Sequence, residues 1–234
     1  MQVVKYEKYI TAINTITKLM ILSISNMKTK FLILLFMLVF NTSSLLASDN
    51  YPFSIGASIM GKMGVSATTT PVGMQNALSF LEGVDASLMA YMPMSDDSRT
   101  GMFLEIGYTN TPFGIKLYQG ATSYYNQKWL TISPVLLVSG VEIGIEFGFD
   151  AFDDVVDKNG MFGNTPRKPD FNVNLRIGYM YPMLTSSLGT LNFVAHGTYN
   201  VTGSDYWTNP DFSYTPVTLS LGLNYLFNLS LGEY

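Results

Sequence analysis

The sequence predicts an all-β chain: an eight-stranded antiparallel transmembrane up-and-down β-barrel over residues 48–234. Three observations predict it. Eight segments alternate apolar and polar residues, the apolar face is nearly free of charge, and the connections alternate between long and short. The clearest segment is Val141-Glu142-Ile143-Gly144-Ile145-Glu146-Phe147-Gly148-Phe149-Asp150. Every odd position there is large and apolar, and every even one is acidic or glycine. A strand sends successive side chains to opposite faces, so one face is greasy and the other carries carboxylates and gaps. At helical spacing the acids would scatter round the axis.

Composition agrees. Of 234 residues, 47% are hydrophobic and only 13% charged, enough chain for one domain with a large covered surface. The chain has no cysteine, which excludes disulfides, thiolate metal sites and cysteine nucleophiles. Residues 1–47 hold five lysines against Glu7, and the remainder keeps 8 basic and 16 acidic residues, a net charge of -8. That balance argues against nucleic acid as a partner.

The N-terminal part reads as an export signal. Lys28 and Lys30 precede ten apolar residues, Phe31 to Phe40, and a small-residue exit ending at Ala47. This is the pattern of a cleaved secretory signal peptide over 27–47, too short in its core for a membrane-spanning helix. Residues 1–26 are expected to be an over-long N-terminal extension, with translation starting at Met27.

The strands follow in order. The first covers about 51–64, with Phe53, Ile55, Ala57 and Ile59 opposite Ser54, Gly56, Ser58 and Lys62. The second, about 78–92, sets Val84, Ala86 and Leu88 against Gly83, Asp85 and Ser87. The third, about 101–109, sets Leu104 and Ile106 against Glu105 and Gly107. The fourth, about 124–138, is blurred by Val135 and Leu137, and Pro134 predicts a bulge or bend. The fifth is Val141–Asp150. The sixth, about 171–181, sets Val173, Leu175 and Ile177 against Asn172, Asn174 and Arg176. The seventh, about 191–201, sets Phe193 and Ala195 against Asn192 and His196. The eighth, about 217–227, sets Leu219, Leu221 and Leu223 against Ser220, Gly222 and Asn224. Long connections are expected at 65–77, 110–123, 151–170 and 202–216, and short ones at 93–100, 139–140 and 182–190. Ser139-Gly140 is a two-residue hairpin turn that places Val138 opposite Val141.

Segments of about ten residues suit tilted strands crossing a bilayer. Strands span lipid only in a closed sheet, because an open edge would strand amides in hydrocarbon. In a soluble barrel the greasy face would point inward with charges outside. Here the charge-free face suits lipid, and the Gly/Ser/Asn/Glu/Arg face suits a small polar interior. Tyr179, Tyr181, Tyr225 and Phe227 sit at segment ends, as interfacial aromatics do. Ser220-x-Gly222-x-x-Tyr225-x-Phe227 fits a terminal-strand signal for the outer-membrane assembly machinery.

The segment Trp129-Leu-Thr-Ile-Ser-Pro134-Val-Leu-Leu, its short turn and the next glycine-rich strand resemble the PorT-like outer-membrane β-barrel domains of Bacteroidetes-type Gram-negative bacteria. OmpA- and OmpX-like small barrels are similar in length and strand number. The resemblance covers most of 48–234 and implies an integral outer-membrane barrel.

Inward-facing Glu105, Glu142, Glu146, Arg176 and His196 are the candidate chemistry. Paired carboxylates can do acid–base work. A buried charge must be paired, so the expected role is a charge-balanced plug in which Arg176 neutralises glutamates. His196-x-Thr198 is faintly like the pair of a lipid A deacylase, but both residues face inward, away from lipid, so no enzyme is expected. Asp153, Asp154, Asp157, Asn159 and Gly160 lack the first and twelfth ligands of a calcium loop and read as a hairpin tip. Tyr206, Trp207, Phe212 and Tyr214 are loop aromatics available to a partner or to the membrane interface. The expected role is structural or adhesive. The partners are outer-membrane lipid, the assembly machinery and an extracellular ligand or protein at the loops, with no cofactor and no metal. The alternatives are a narrow pore or small hydrophobic-solute transporter, and a lipid-modifying enzyme.

Overall fold

A computed structural model describes residues 54–67, 70, 73–95, 99–117, 120, 122–152, 155–156, 170–202, 204–205 and 213–228. The expected signal peptide and N-terminal extension, the acidic-loop residues Asp153, Asp154, Asp157, Asn159 and Gly160, and Tyr206, Trp207 and Phe212 lie outside these residues.

The described part is all β and antiparallel. Its strands are β1 (Ser54–Ser66), β2 (Met74–Ala77), β3 (Ser79–Pro93), β4 (Gly101–Leu117), β5 (Thr122–Val138), β6 (Val141–Asp150), β7 (Val155–Val156), β8 (Phe171–Ser186), β9 (Gly189–Asn200), β10 (Ser204–Asp205), β11 (Ser213–Tyr214) and β12 (Pro216–Asn228). Ten of them form one sheet, ordered β2-β4-β3-β1-β12-β9-β8-β6-β5-β7, and β10 pairs with β11. An additional β4–β5 pairing closes a ring through the eight long strands. Each neighbour is antiparallel, so no long edge of those eight is left open along most of its length.

Alternation explains the two faces. In β1 the pattern runs buried-exposed without a break, and β5 behaves likewise. Outward positions carry Ile59, Leu88, Ile106, Ile143, Ile177 and Leu223, all exposed. Among the outward strand positions whose side chains are described, the charged residues are Lys116 and Lys128, both toward the loops. Every buried charged residue faces inward: Lys62, Asp85, Glu105, Glu142, Glu146 and Arg176.

The structure departs from the expected outline in several places, among them the connection 182–190, which shrinks to Ser187-Leu188 between β8 and β9. The connection 110–123 is mostly strand, because β4 runs on to Leu117 and β5 begins at Thr122. Pro134 makes no bulge. The β5–β6 ladder skips Ser133 and Pro134 between Ile132↔Phe147 and Val135↔Gly144 but keeps its register, while Pro134 stays paired to Leu104 on β4. The absent proline N–H therefore costs rungs on the β6 side only. Register shifts fall instead next to Pro182 in the β8–β9 ladder and between Lys62 and Gly64 in the β1–β3 ladder. Phe147, expected to be open on the outer face, is buried beside Phe171 at 6.2 Å between rings. Finally, the interior is not polar throughout. Met60, Met89, Phe103, Val135, Leu137 and Val194 face inward and form a buried apolar cluster toward the short turns. The blur at Val135 and Leu137 has this cause: both of their faces are apolar because the floor of the ring is apolar.

At that end Ser139 and Gly140 adopt φ of 51° and 89°, and Val138 pairs with Val141. Two successive positive φ values are the signature of a type I′ hairpin, whose twist matches that of the strands. Arg99 fastens this turn. Its guanidinium donates to the Ser139 carbonyl at 2.7 Å and to the Tyr179 hydroxyl at 2.8 Å. The Gly140 N–H donates to the Arg99 carbonyl at 3.0 Å.

Candidate functional site: the interior charge layer

Above the apolar floor the inward face turns ionic. Register positions the charges. Gly144 pairs with Arg176, so Glu142 and Glu146 sit one step to either side of the arginine on the neighbouring strand. The guanidinium donates Nε at 3.3 Å and Nη2 at 2.8 Å to Glu142 Oε2. It also donates Nη1 and Nη2 to Glu105 Oε2 and Oε1 at 2.6 and 3.2 Å. This fork-to-fork geometry is the one a planar guanidinium favours. Arg176 and Glu142 are almost wholly withdrawn from solvent, at 4% and 1% exposure.

Glu146 is not part of this cluster. It faces Asn174 across the β6–β8 ladder and accepts that residue's amide at 2.6 Å. Asn200 donates to Asn174 at 2.8 Å, and Thr202 to Asn200 at 3.1 Å. An amide relay thus runs from the loop side to the carboxylate.

A second ionic group lies across the interior. Lys62 Nζ is 2.8 Å from Asp85 Oδ1 and donates to Thr109 Oγ1 at 2.6 Å. Asp85 also accepts from the Thr109 hydroxyl and, at 2.6 Å, from Ser220. Sequence reading put Lys62 and Asp85 on the inward face but did not join them. The pairing Met60↔Asp85 makes Lys62 a diagonal neighbour, which only the register reveals. Ser220, read as part of the assembly signal, spends its hydroxyl inside. Gly222 lies on the inward face beside Met60, while Tyr225 and Phe227 pack edge to face at 4.6 Å on the outside.

His196 lies between the two groups. Its Nε2 is 3.8 Å from Asp85 and its Nδ1 is 3.9 Å from Glu142, both too long for hydrogen bonds. Gly178 is its cross-strand partner, and a Cβ there would meet the His196 Cβ at 2.5 Å. Thr198, the other half of the hydrolase-like pair, is bonded to Thr218 at 2.6 Å and points toward no base. Two cations thus face three carboxylates in this layer, with the imidazole between. Among the described residues no group of three or more His, Asp or Glu is arranged to hold a metal.

No protein-family model matches the chain, and comparison with characterised sequences gives no match. Solved structures give distant likenesses. The outer-membrane protein AlkL, determined in lipid bilayers, is 13% identical at a TM-score of 0.42, covering 78% of this chain and 94% of AlkL. OprG, an outer-membrane protein of Pseudomonas aeruginosa, is 12% identical at 0.36, covering 76% of this chain and 98% of its own. The translocator domain of the autotransporter NalP from Neisseria meningitidis is 11% identical at 0.25, covering 79% and 92%.

Proposed function

We propose that this chain is an integral outer-membrane β-barrel of eight strands whose role is structural or surface-interacting, with a side-chain-filled interior and loops turned outward from the cell. The uninterrupted apolar belt on the outward positions carries this reading. Exposed Ile, Leu and Val all round a ring would be an aggregation hazard in water and are the expected surface in lipid. A closed ladder is the one β arrangement that leaves no amide edge in hydrocarbon. The interior supports a filled barrel: its charges are ion-paired or, at Glu146, hydrogen-bonded to an amide, and its floor is largely apolar. Eight strands leave room for little else.

The reading keeps the likeness to PorT-like and OmpA-like small barrels, the export signal at 27–47 and the terminal-strand signal through Ser220, Gly222, Tyr225 and Phe227. It assigns lipid and the assembly machinery as partners, an extracellular ligand or protein at the loops, and no nucleic acid, cofactor or catalysis. His196 is 2% exposed inside the ring, away from lipid.

Fractionation of cells making the full chain tests the location: recovery in the outer membrane, with an electrophoretic shift between unheated and boiled samples, is expected. Recovery in the soluble fraction would end the proposal. Planar-bilayer recording tests the filled interior. Stable single-channel steps would replace the structural role with the narrow pore or small-solute transporter.

A further inference from the structure

On the loop side the β4–β5 pair parts from β3 and β6 and is held at its edges by β2 and β7. β3 pairs with β4 only as far as Asp85↔Thr109, and β6 pairs with β5 only as far as Trp129↔Asp150. Thr109 and Trp129 face each other. One rung, Asp85–Thr109–Trp129–Asp150, is therefore the last to join the pair to its long neighbours on both sides. Beyond it, residues 110–117 and 122–128 pair with each other, with the four residues of β2, and with the two of β7.

This ribbon turns inward. Asn110, Thr111, Pro112, Phe113, Gly114 and Ile115 are buried in succession, where a wall strand would alternate. Both faces of β4 are covered over this stretch, while β5 keeps alternating from Thr122 to Lys128. β4 touches β1 and β12, neither of which adjoins it in the ring. Pro112 makes the approach to β1. A Cβ at position 64 would run into the Pro112 carbonyl, and one at position 83 would meet the Pro112 ring at 3.0 Å. Two inward glycines on β1 and β3 thus form a notch that fits the proline, close above the Lys62–Thr109 bond. The ring stack of Phe113 on Tyr125, 5.0 Å apart, stiffens the ribbon as a unit.

We infer that residues 110–117 and 122–128 are a hinged lid over the loop-side mouth of the interior, turning about the Thr109–Trp129 rung and seated by Pro112 in the Gly64–Gly83 notch. The lid moves as a rigid two-stranded piece because its own ladder is continuous from Thr109↔Trp129 to Lys116↔Thr122. The short β2 and β7 edges are what it must release. Opening uncovers Lys62, Asp85 and Thr218 from the loop side.

The absence of cysteine makes the test clean. Thr218→Cys places one thiol beside the notch, since the Thr218 methyl lies 3.1 Å from a Cβ built at 64. The full chain, refolded in detergent micelles, is treated with a small charged thiol reagent. Labelling is expected to be slow, limited by a minor open population of roughly 0.1–10%. Adding Gly64→Ala, which unseats Pro112, is expected to speed labelling about tenfold or more by raising that population. Gly101→Ala, a comparable wedge against Tyr91 at the turn end, should leave the rate unchanged. Equal rates with and without the Gly64 wedge in folded protein, or equal acceleration by the Gly101 wedge, would overturn the lid. Should Gly64→Ala prevent folding, the milder Gly83→Ala decides in the same way. The assay needs no bilayer, so failure of the lid leaves the outer-membrane reading to its own tests.

Discussion

Arg176 on β8 donates to Glu105 on β4 at 2.6 Å, although the two strands are separated in the ring by β5 and β6. The bond crosses the interior rather than running along a ladder. Together with Glu142 it ties three strands, β4, β6 and β8, through one side chain.

Removing the arginine should therefore be costly. Arg176→Met leaves two buried carboxylates unpaired, and a loss of about 3–5 kcal/mol is expected. Urea unfolding of protein refolded in lipid vesicles measures it. The triple variant Glu105→Gln, Glu142→Gln, Arg176→Met should recover most of that loss, because it removes the stranded charges with the cation. A single variant as stable as the parent would show that the guanidinium is not what holds the layer.

Ser220 is bonded to Asp85, and this separates two roles for one residue. Ser220→Ala should cost about 1.5–3 kcal/mol, the worth of a hydrogen bond to a charged group. The loss should appear in refolding from urea without any assembly machinery. An unchanged midpoint there, with poor assembly in cells, would assign the hydroxyl to the biogenesis signal alone.

Gly140 holds φ at 89° in the turn clasped by Arg99. Gly140→Ala forces an L side chain into that region at about 1–2 kcal/mol. Crowding by the Arg99 guanidinium, 2.7 Å from a Cβ built there, adds to the cost. Ser139→Asn should instead stabilise, because asparagine before glycine suits a type I′ turn. Unfolding midpoints that move the other way in this pair would contradict the turn assignment.

Leu136 and Leu137 are neighbours with opposite fates, at 42% and 0% exposure. Leu137→Ala opens a hole in the apolar floor and should cost about 2–5 kcal/mol. Leu136→Ala trims a side chain on the outward belt and should cost much less. Equal losses from the two variants would mean that the floor is not packed as described.

Those two leucines mark the border of what the sequence discloses. Strict alternation, as in Val141–Asp150, assigns faces because one face is apolar and the other is not. Where both faces are apolar, as at Val135–Val138, alternation says nothing, and only the ring decides which side is inside. The ribbon was hidden for a related reason. Asn110–Ile115 is buried on both sides, includes Pro112 and Gly114, and so reads as a connection rather than a strand. The charge layer was half visible. Parity puts Lys62, Asp85, Glu142 and Arg176 on inward positions, but partners depend on register. Register sends Glu146 to Asn174 and leaves Arg176 to Glu105 and Glu142. The reach from Arg176 to Glu105, two strands away, has no local signal in the sequence, because it depends on how far each strand slides along its neighbour.

The apolar floor gives the interior a direction. A bare ion pushed among Met60, Phe103, Val135 and Leu137 would shed its water with only the neutral Asn192–Asn224 and Ser58–Ser87 pairs near, at a high cost. The same ion approaching from the loop side meets carboxylates and cations first. Below an opened lid the interior would be a vestibule with a single door: what enters from the loop side is stopped at an oily threshold and must return the way it came.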